Sequence, residues 1–422
     1  MEQDALRTKL IREILTDPLF TDRVLHRYFK WIDKTLAPFV KDHFAPNKSW
    51  VGKPFTREDA MFFMTSLRDL SRTFTTGRER TLPRYFEQKK YRSSYMLFFL
   101  PLHASKFISV LLSGHEPMES LLFDWTRGEK IVLGDFGSGP LTASIALHFY
   151  LSEFEKEFRQ KFSEPFPLGE LEWNLVDLDK TVIEDGLALV RASFKEEIIL
   201  KRSKYIVRRE NWGAALTDRK AYHLSMFGNV LNEAPQFREA HERALLTGFP
   251  YHERTLFVEP ATENNSHRLI QVRQRMLEEF KGDVRIFGPC LHYELCPLRS
   301  GRDWCHFSIP LEIESKWYKF FTYGLHHTHF EWVKMSYLWL GNAKFKSTRN
   351  LELAKEHTLV VSDPIFENES RKESFVLLCE PERARKYRLG PGQKLHRGDV
   401  ITKISIDPKS KNSTKPKSTR PA

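Results

Sequence analysis

Cys290, Cys296, Cys305 and Cys379 are the only cysteines in 422 residues, and the first three fall within CLHYELCPLRSGRDWC. Thiolates are soft ligands that suit zinc and iron–sulfur clusters. The intervals of five and eight residues between the first three are wider than the pairs usual in zinc ribbons. They also differ from the closely spaced run of ferredoxins. Four thiols with none left over suit one shared centre. Pro289 and Pro297 stiffen the chain beside two of them. Zinc is the competing metal, and His292 or His306 could then replace one thiolate. Burial without any metal is the bland alternative, and three cysteines in one polar segment argue against it.

A second stretch with chemical potential is IVLGDFGSGPLTASIALHF, which reads as strand, glycine turn and helix. Gly137 and Gly139, with Ser138 between them, let the backbone turn tightly and approach a ligand. The amide end of a helix opening near Thr142 favours an anion. Asp135, at the strand end, is placed to orient the loop or the amine of a ligand. The dinucleotide fingerprint is not met, because Thr142 stands where its last glycine should be, and no ribose-binding acid follows at the usual distance. The next strand-end acid is Asp177, which could hold the ribose hydroxyls of an adenosyl ligand; Asp179 reads as a solvated turn acid. FGNVLNE and FVEP place Asn229, Asn232, Glu233 and Glu259 where a crevice forms outside the strand ends of an open α/β sheet. Asn232 and Glu233 serve equally well as helix caps. The expected cofactor-binding set is Asp135, Gly137, Ser138, Gly139, Asp177 and Asn229.

The elements that must position these residues change character along the chain. Leu6, Leu10 and Ile14, then Val24, Tyr28 and Ile32, recur at helical spacing on either side of Asp17-Pro18. This predicts an N-terminal helical region over residues 1–115. From about Lys130, short apolar runs alternate with long helical stretches: KIVLGDFG, LEWNLVDLD, KYIVRRE, YHLSMFGNV and RTLFVEP. That rhythm predicts a Rossmann-like α/β domain over 116–283, with a parallel sheet covered on both faces. Residues 284–406, with FEWVKMSYLWL and ESFVLLCE, read as a small β-rich C-terminal module carrying the metal site. Residues 407–422 read as a disordered basic tail, with five lysines and arginines and no acid in the last fifteen residues.

The net charge of +11, with further basic clusters at Lys89–Arg92 and Lys201–Arg209, points toward an RNA partner. The apolar run Tyr95–Leu102 is too short to span a bilayer, so no membrane is expected. The N-terminus carries Glu2 and Asp4 and lacks an apolar signal core, and the compartment reads as cytoplasmic and reducing.

Taken together, DFGSGPLTAS, NVLNEAP, VEPAT and PCLHYELCPL…DWCHFS resemble, in that order, the ribosomal small-subunit methyltransferase-like assembly factors of mitochondria and bacteria. The resemblance runs from near Tyr91 to Cys379, and its cysteine segment is the specific part. It implies an S-adenosylmethionine methyltransferase fold and a role in maturing the small ribosomal subunit. It also implies a 4Fe–4S cluster on Cys290, Cys296, Cys305 and Cys379. One departure is Leu141, where the family often has glycine; a leucine there is expected to crowd the cofactor's carboxylate end. NVLNEAP lacks the paired prolines and aromatic of amino-group methyltransferases, and no cysteine is left to attack a base carbon. The catalytic residues are therefore not identified. The expected function is an rRNA-binding assembly or translation factor, monomeric off the ribosome. The alternative is an active S-adenosylmethionine-dependent rRNA methyltransferase.

Overall fold

The computed structural model describes residues 2–46, 48–76, 85–162, 166–231, 238–299, 303–326, 332–342, 357–368, 373–380, 383–390 and 393–402. The basic tail lies outside the described residues, as do Asn232 and Glu233.

Five apolar runs form the centre of a mixed α/β sheet. Strands β1 (Ile131–Phe136), β2 (Leu171–Asp177), β3 (Ser203–Arg209), β4 (Leu224–Gly228) and β5 (Arg254–Pro260) pair in parallel in the order β3-β2-β1-β4-β5. Leu133, Leu175, Met226 and Leu256 are fully buried, as expected of central strands covered on both faces. The chain runs outward from β1 on one side and from β4 on the other. The strand order therefore reverses between β1 and β4, and a crevice opens beyond their carboxyl ends.

The boundary expected at residue 284 does not separate two modules. Strands β6 (Val284–Gly288), β7 (Phe307–Pro310) and β8 (Trp332–Asn342) complete the large sheet. Strand β8 runs antiparallel to β5, from Arg254↔Gly341 to Pro260↔Met335. Along its other edge lie β6, with Ile286 opposite Leu340, and β7, with Phe307 opposite Met335. The β-rich unit is thus confined to a second sheet: β9 (His357–Val360), β10 (Ile365–Asn368), β11 (Glu373–Glu380), β12 (Arg383–Arg388) and β13 (Val400–Thr402). A strand hydrophobic on both faces carries no mark of which sheet it joins, and this misassigned β8.

The N-terminal helices pack on the face of the large sheet covered by helix Thr142–Lys161. Ile11, Ile14, Val24, Tyr28 and Ile32 enter a core shared with Phe149, Leu151 and Phe154; Leu6, at the free end of the stripe, is 47% exposed. Two π-helical turns, Ile32–Leu36 and Tyr95–Phe99, interrupt these helices, and each lies just before a proline, Pro38 or Pro101. Proline lacks the amide proton that the α-helical ladder needs, so the backbone widens by one residue ahead of it. Residues Lys89–Ser113 form one continuous helix of 25 residues, apolar enough in length and composition to cross a membrane. Here 78% of its apolar window is buried inside the protein, where Phe107, Ile108 and Leu111 contact the sheet-covering core. The run Tyr95–Leu102 is the middle of that helix rather than an isolated apolar patch.

Candidate functional site

The crevice beyond β1 and β4 holds a cavity of about 690 Å³. Asp135, Gly137, Ser138, Gly139, Asp177 and Asn229 all line it, so the structure brings together the whole set expected from the sequence. The glycine turn is shaped by backbone constraints. Gly137 has φ 70° and Gly139 has φ 49°, in the left-handed region. A Cβ on Gly137 would lie 2.2 Å from Val230 Cγ1, whereas one on Gly139 would meet only the Phe86 ring at 3.8 Å. The Gly137 and Ser138 amides both donate to Val176 O, at 2.8 and 3.0 Å. The Gly139 amide donates to Asp177 Oδ2 at 2.9 Å, which ties the turn to the end of β2.

The two carboxylates have different tasks. Asp135 accepts hydrogen bonds from the amide (3.1 Å) and hydroxyl (2.6 Å) of Ser144, and so fixes the start of helix Thr142–Lys161. Burial pushes its pKa up to about 6, against the pull of those donors. Asp177 is also shifted upward by burial, opposed by the amides of Asp179 and Gly139. Asp179 is more than a solvated acid: it lines the cavity and caps helix Lys180–Phe194 by accepting from Thr181 N at 2.8 Å. Three buried polar atoms on the wall, Ser138 Oγ, Thr142 Oγ1 and Asn229 Oδ1, have no hydrogen-bond partner. Buried polar groups are rarely left so. A polar ligand in the cavity would supply what they lack.

Leu141 does not crowd this space. It adopts φ 65° and is fully buried in the core, where its Cγ would lie 2.7 Å from a Cβ on Gly186. The left-handed turn carries the side chain away from the cavity, a conformation the sequence does not announce for leucine.

Several wall residues were not foreseen. Tyr85, Phe86, Arg92, Tyr95 and Phe107 come from the helical region, and Leu178 and Arg209 from the ends of β2 and β3. Arg92 is held by Asp185 Oδ2 (2.6 Å) and donates to Phe86 O (2.8 Å), which anchors the aromatic wall. The available signal was the mixing of aromatic and basic residues in YFEQKKYR, read from sequence only as positive charge. Glu259, at the end of β5, is fully buried behind the site; its Oε1 accepts from the amides of Val230 and Leu231, at 3.0 and 3.1 Å. Those bonds hold the segment just after Asn229. Burial pushes the Glu259 pKa up to about 7.

The cysteines gather at the seam between the two sheets. The segment that carries Cys290, Cys296 and Cys305 leaves β6 and returns at β7, so both its ends are pinned to β8. Cys379, on β11, pairs with Leu359 and Ala384. Cys296, Leu298, Phe307, Leu359 and Val361 form one apolar cluster that Cys305 and Cys379 border. Burial raises the Cys296 pKa to about 11, and those of Cys305 and Cys379 well above the usual thiol range. The next contribution to each is Cys290, so the four thiols lie within mutual electrostatic range. All four are free, and no group of three or more His, Cys, Asp or Glu side chains among the described residues is arranged to hold a metal ion. His292 Nε2 contacts Cys379 Sγ at 3.3 Å, whereas His306 Nδ1 turns to Trp304 O at 3.0 Å.

No curated protein matches the chain. Among solved structures, a candidate RNA methyltransferase of Pyrococcus horikoshii is similar at 11% identity and TM-score 0.28, over 57% of this chain and 82% of that one. The plantazolicin methyltransferase BpumL in complex with SAH gives 11% and 0.32, over 68% and 99%. A candidate class I S-adenosylmethionine-dependent methyltransferase of Listeria monocytogenes gives 12% and 0.31, over 77% and 90%. Likenesses this distant say nothing of what this chain binds or does. Residues 195–389, a span that includes all four cysteines, match the family described as mitochondrial small ribosomal subunit Rsm22, in agreement with the resemblance its motifs suggested.

Proposed function

We propose that this chain is an rRNA-binding factor of the small ribosomal subunit, built on an S-adenosylmethionine-binding scaffold and braced by a 4Fe–4S cluster. The observation that carries the reading is the Rsm22 match over residues 195–389, which takes in every cysteine of the chain. The basic excess supports an RNA partner, and Arg92 and Arg209, one from each basic cluster, stand at the cavity wall. A reducing, cytoplasmic setting suits four unpaired thiols.

The cavity residues fit S-adenosylmethionine. A Cβ on Gly139 would meet no side chain closer than the Phe86 ring at 3.8 Å, which leaves its backbone open to close approach, and Ser138, Thr142 and Asn229 offer unpaired polar atoms. Asp177 would accept from ribose hydroxyls, and Leu178 and Phe86 give apolar walls. When bound, the cofactor supplies an electrophilic methyl group. Asp135 is committed to Ser144, so among the described wall residues we assign no general base. The four free thiols are of the soft donor type that an iron–sulfur cluster would take.

Anaerobic purification with absorption spectra and iron and sulfide analysis tests the cluster, and recovery on small-subunit precursors tests the partner. Iron with sulfide and co-migration with the subunit are expected. Stoichiometric zinc, or migration only as a free monomer at low salt, would overturn the respective half. The second reading, an active rRNA methyltransferase, is favoured by the cavity with its unpaired polar atoms. Transfer of labelled methyl groups from S-adenosylmethionine to small-subunit RNA decides it. If calorimetry finds no cofactor binding at millimolar ligand, that reading ends.

A further inference from the structure

The glycine turn opens a helix whose first amides go unused. Helix Thr142–Lys161 begins after Leu141, which offers no capping side chain, and its first turn holds no acid. The Ser144 amide is taken by Asp135, and the Ile145 amide by Leu141 O at 2.8 Å. Among the described residues nothing accepts from the amides of Thr142 and Ala143, and both residues line the cavity. Beside them the hydroxyls of Ser138 and Thr142, residues only 3% and 8% exposed, have no hydrogen-bond partner. Such a helix start draws an anion.

Arg92 supplies a cation at the same wall. Its Nε donates to Asp185 Oδ2 (2.6 Å) and its Nη1 to Phe86 O (2.8 Å), while Nη2 has no hydrogen-bond partner among the described residues. Its side chain is 12% exposed, so the guanidinium is fixed before any ligand arrives. Asp185 shares its other oxygen with His43 at 2.7 Å. Both holds on Arg92 lead back to the glycine turn. The Phe86 ring is what a Cβ on Gly139 would meet, and a Cβ on Gly186, next to Asp185, would press on Pro140 at 2.7 Å. The wall also carries Glu87, Asp135, Asp177 and Asp179, which disfavour a plain inorganic anion. A head group of both signs suits it better, with an ammonium toward the acids and a carboxylate toward Arg92.

We propose that Arg92, held by Asp185, joins the open amides of Thr142 and Ala143 as a carboxylate subsite, which makes the cavity selective for adenosyl ligands with an intact α-amino acid end. This rests on the cofactor reading above. Arg92 and Asp185 both precede the residues 195–389 that match the family, so the N-terminal helices bring a specificity the matched span does not hold.

Calorimetry of the full chain with S-adenosylmethionine and with its decarboxylated analogue tests the proposal, because the two ligands differ only in the carboxylate. Wild type should bind S-adenosylmethionine about ten- to a hundred-fold more tightly, the range for hydrogen bonds to a charged group. Arg92→Met should lose most of that preference by weakening S-adenosylmethionine alone. Asp185→Asn, which loosens the guanidinium without removing it, should fall between the two. Equal affinity of wild type for both ligands would overturn the proposal without recourse to any variant. So would an equal loss for both ligands in Arg92→Met, the mark of a displaced Phe86 wall. If wild type binds neither ligand, the cofactor reading itself fails, and this inference falls with it by a distinguishable result.

Discussion

Gly137 and Gly139 look alike in the sequence and differ in the structure. Both need positive φ, which costs a residue with a side chain roughly 1–2 kcal/mol. Only at Gly137 would the new methyl collide with Val230. Gly139→Ala should therefore lower stability by about that strain alone, and Gly137→Ala should cost clearly more and distort the wall near Asn229. Denaturant unfolding of the two variants checks the ranking. Glu259 gives a pH signature. Its proton is retained in the folded state up to about pH 7 and lost from the unfolded chain near the ordinary value of 4.5. Native stability therefore falls as pH rises through that window. Glu259→Gln removes the effect and should gain about 3 kcal/mol relative to wild type between pH 4.5 and pH 7, at 1.36 kcal/mol per unit. His148 and His252, held neutral by burial with pKa values of about 4 and about 3, act in the opposite sense, so the variant-minus-wild-type difference is the quantity to measure. At this scale the polar lining at strand ends was legible, because an open sheet has few places for a crevice. Arg92 was not, since nothing in KKYR distinguishes an arginine turned to a cavity from an exposed one.

Among elements, helix Lys316–Gly324 is started by a residue almost three hundred positions away. Asp33, in the first π-helical turn, accepts from Ser315 Oγ (2.7 Å), Lys316 N (2.8 Å) and Trp317 N (3.1 Å). One carboxylate thus serves amides that a helix start leaves open. Asp33→Ala should cost about 1–2 kcal/mol, the usual worth of a cap. Urea unfolding reads that loss, and hydrogen exchange should localise it to the first turn of Lys316–Gly324. The five parallel strands were read correctly because each is a short apolar run bounded by turns and followed by a helix. The cap and the π-helical turns were hidden, because both depend on partners or ladder geometry that local periodicity does not encode.

For the molecule as a whole, the second sheet docks on the first through a small apolar cluster, Leu298, Phe307, Leu359 and Val361, bordered by the thiols. A centre held by Cys379 and the loop cysteines would join the two sheets. Chelation of the loaded protein should then speed hydrogen exchange in β9 and β11 while leaving β1, β2 and β4 unchanged, because metal binding is coupled to local folding. Equal protection in both forms would show that the apolar seam holds the sheets together unaided. The large fold was legible from periodicity; the seam was not, because it joins parts of the chain whose pairing only the completed sheet decides.

Both arms of the cysteine segment are stitched to a single strand, β6 near Leu340 and β7 near Met335. That strand therefore serves as a ruler for the thiols. Were it to slip by one position against β5, both arms would shift together and the faces presented by their side chains would invert. Accurate alignment of one late-arriving strand is thus a precondition for assembling the sulfur donors. A chain that zipped wrongly there could keep its Rossmann half intact and still never gather them.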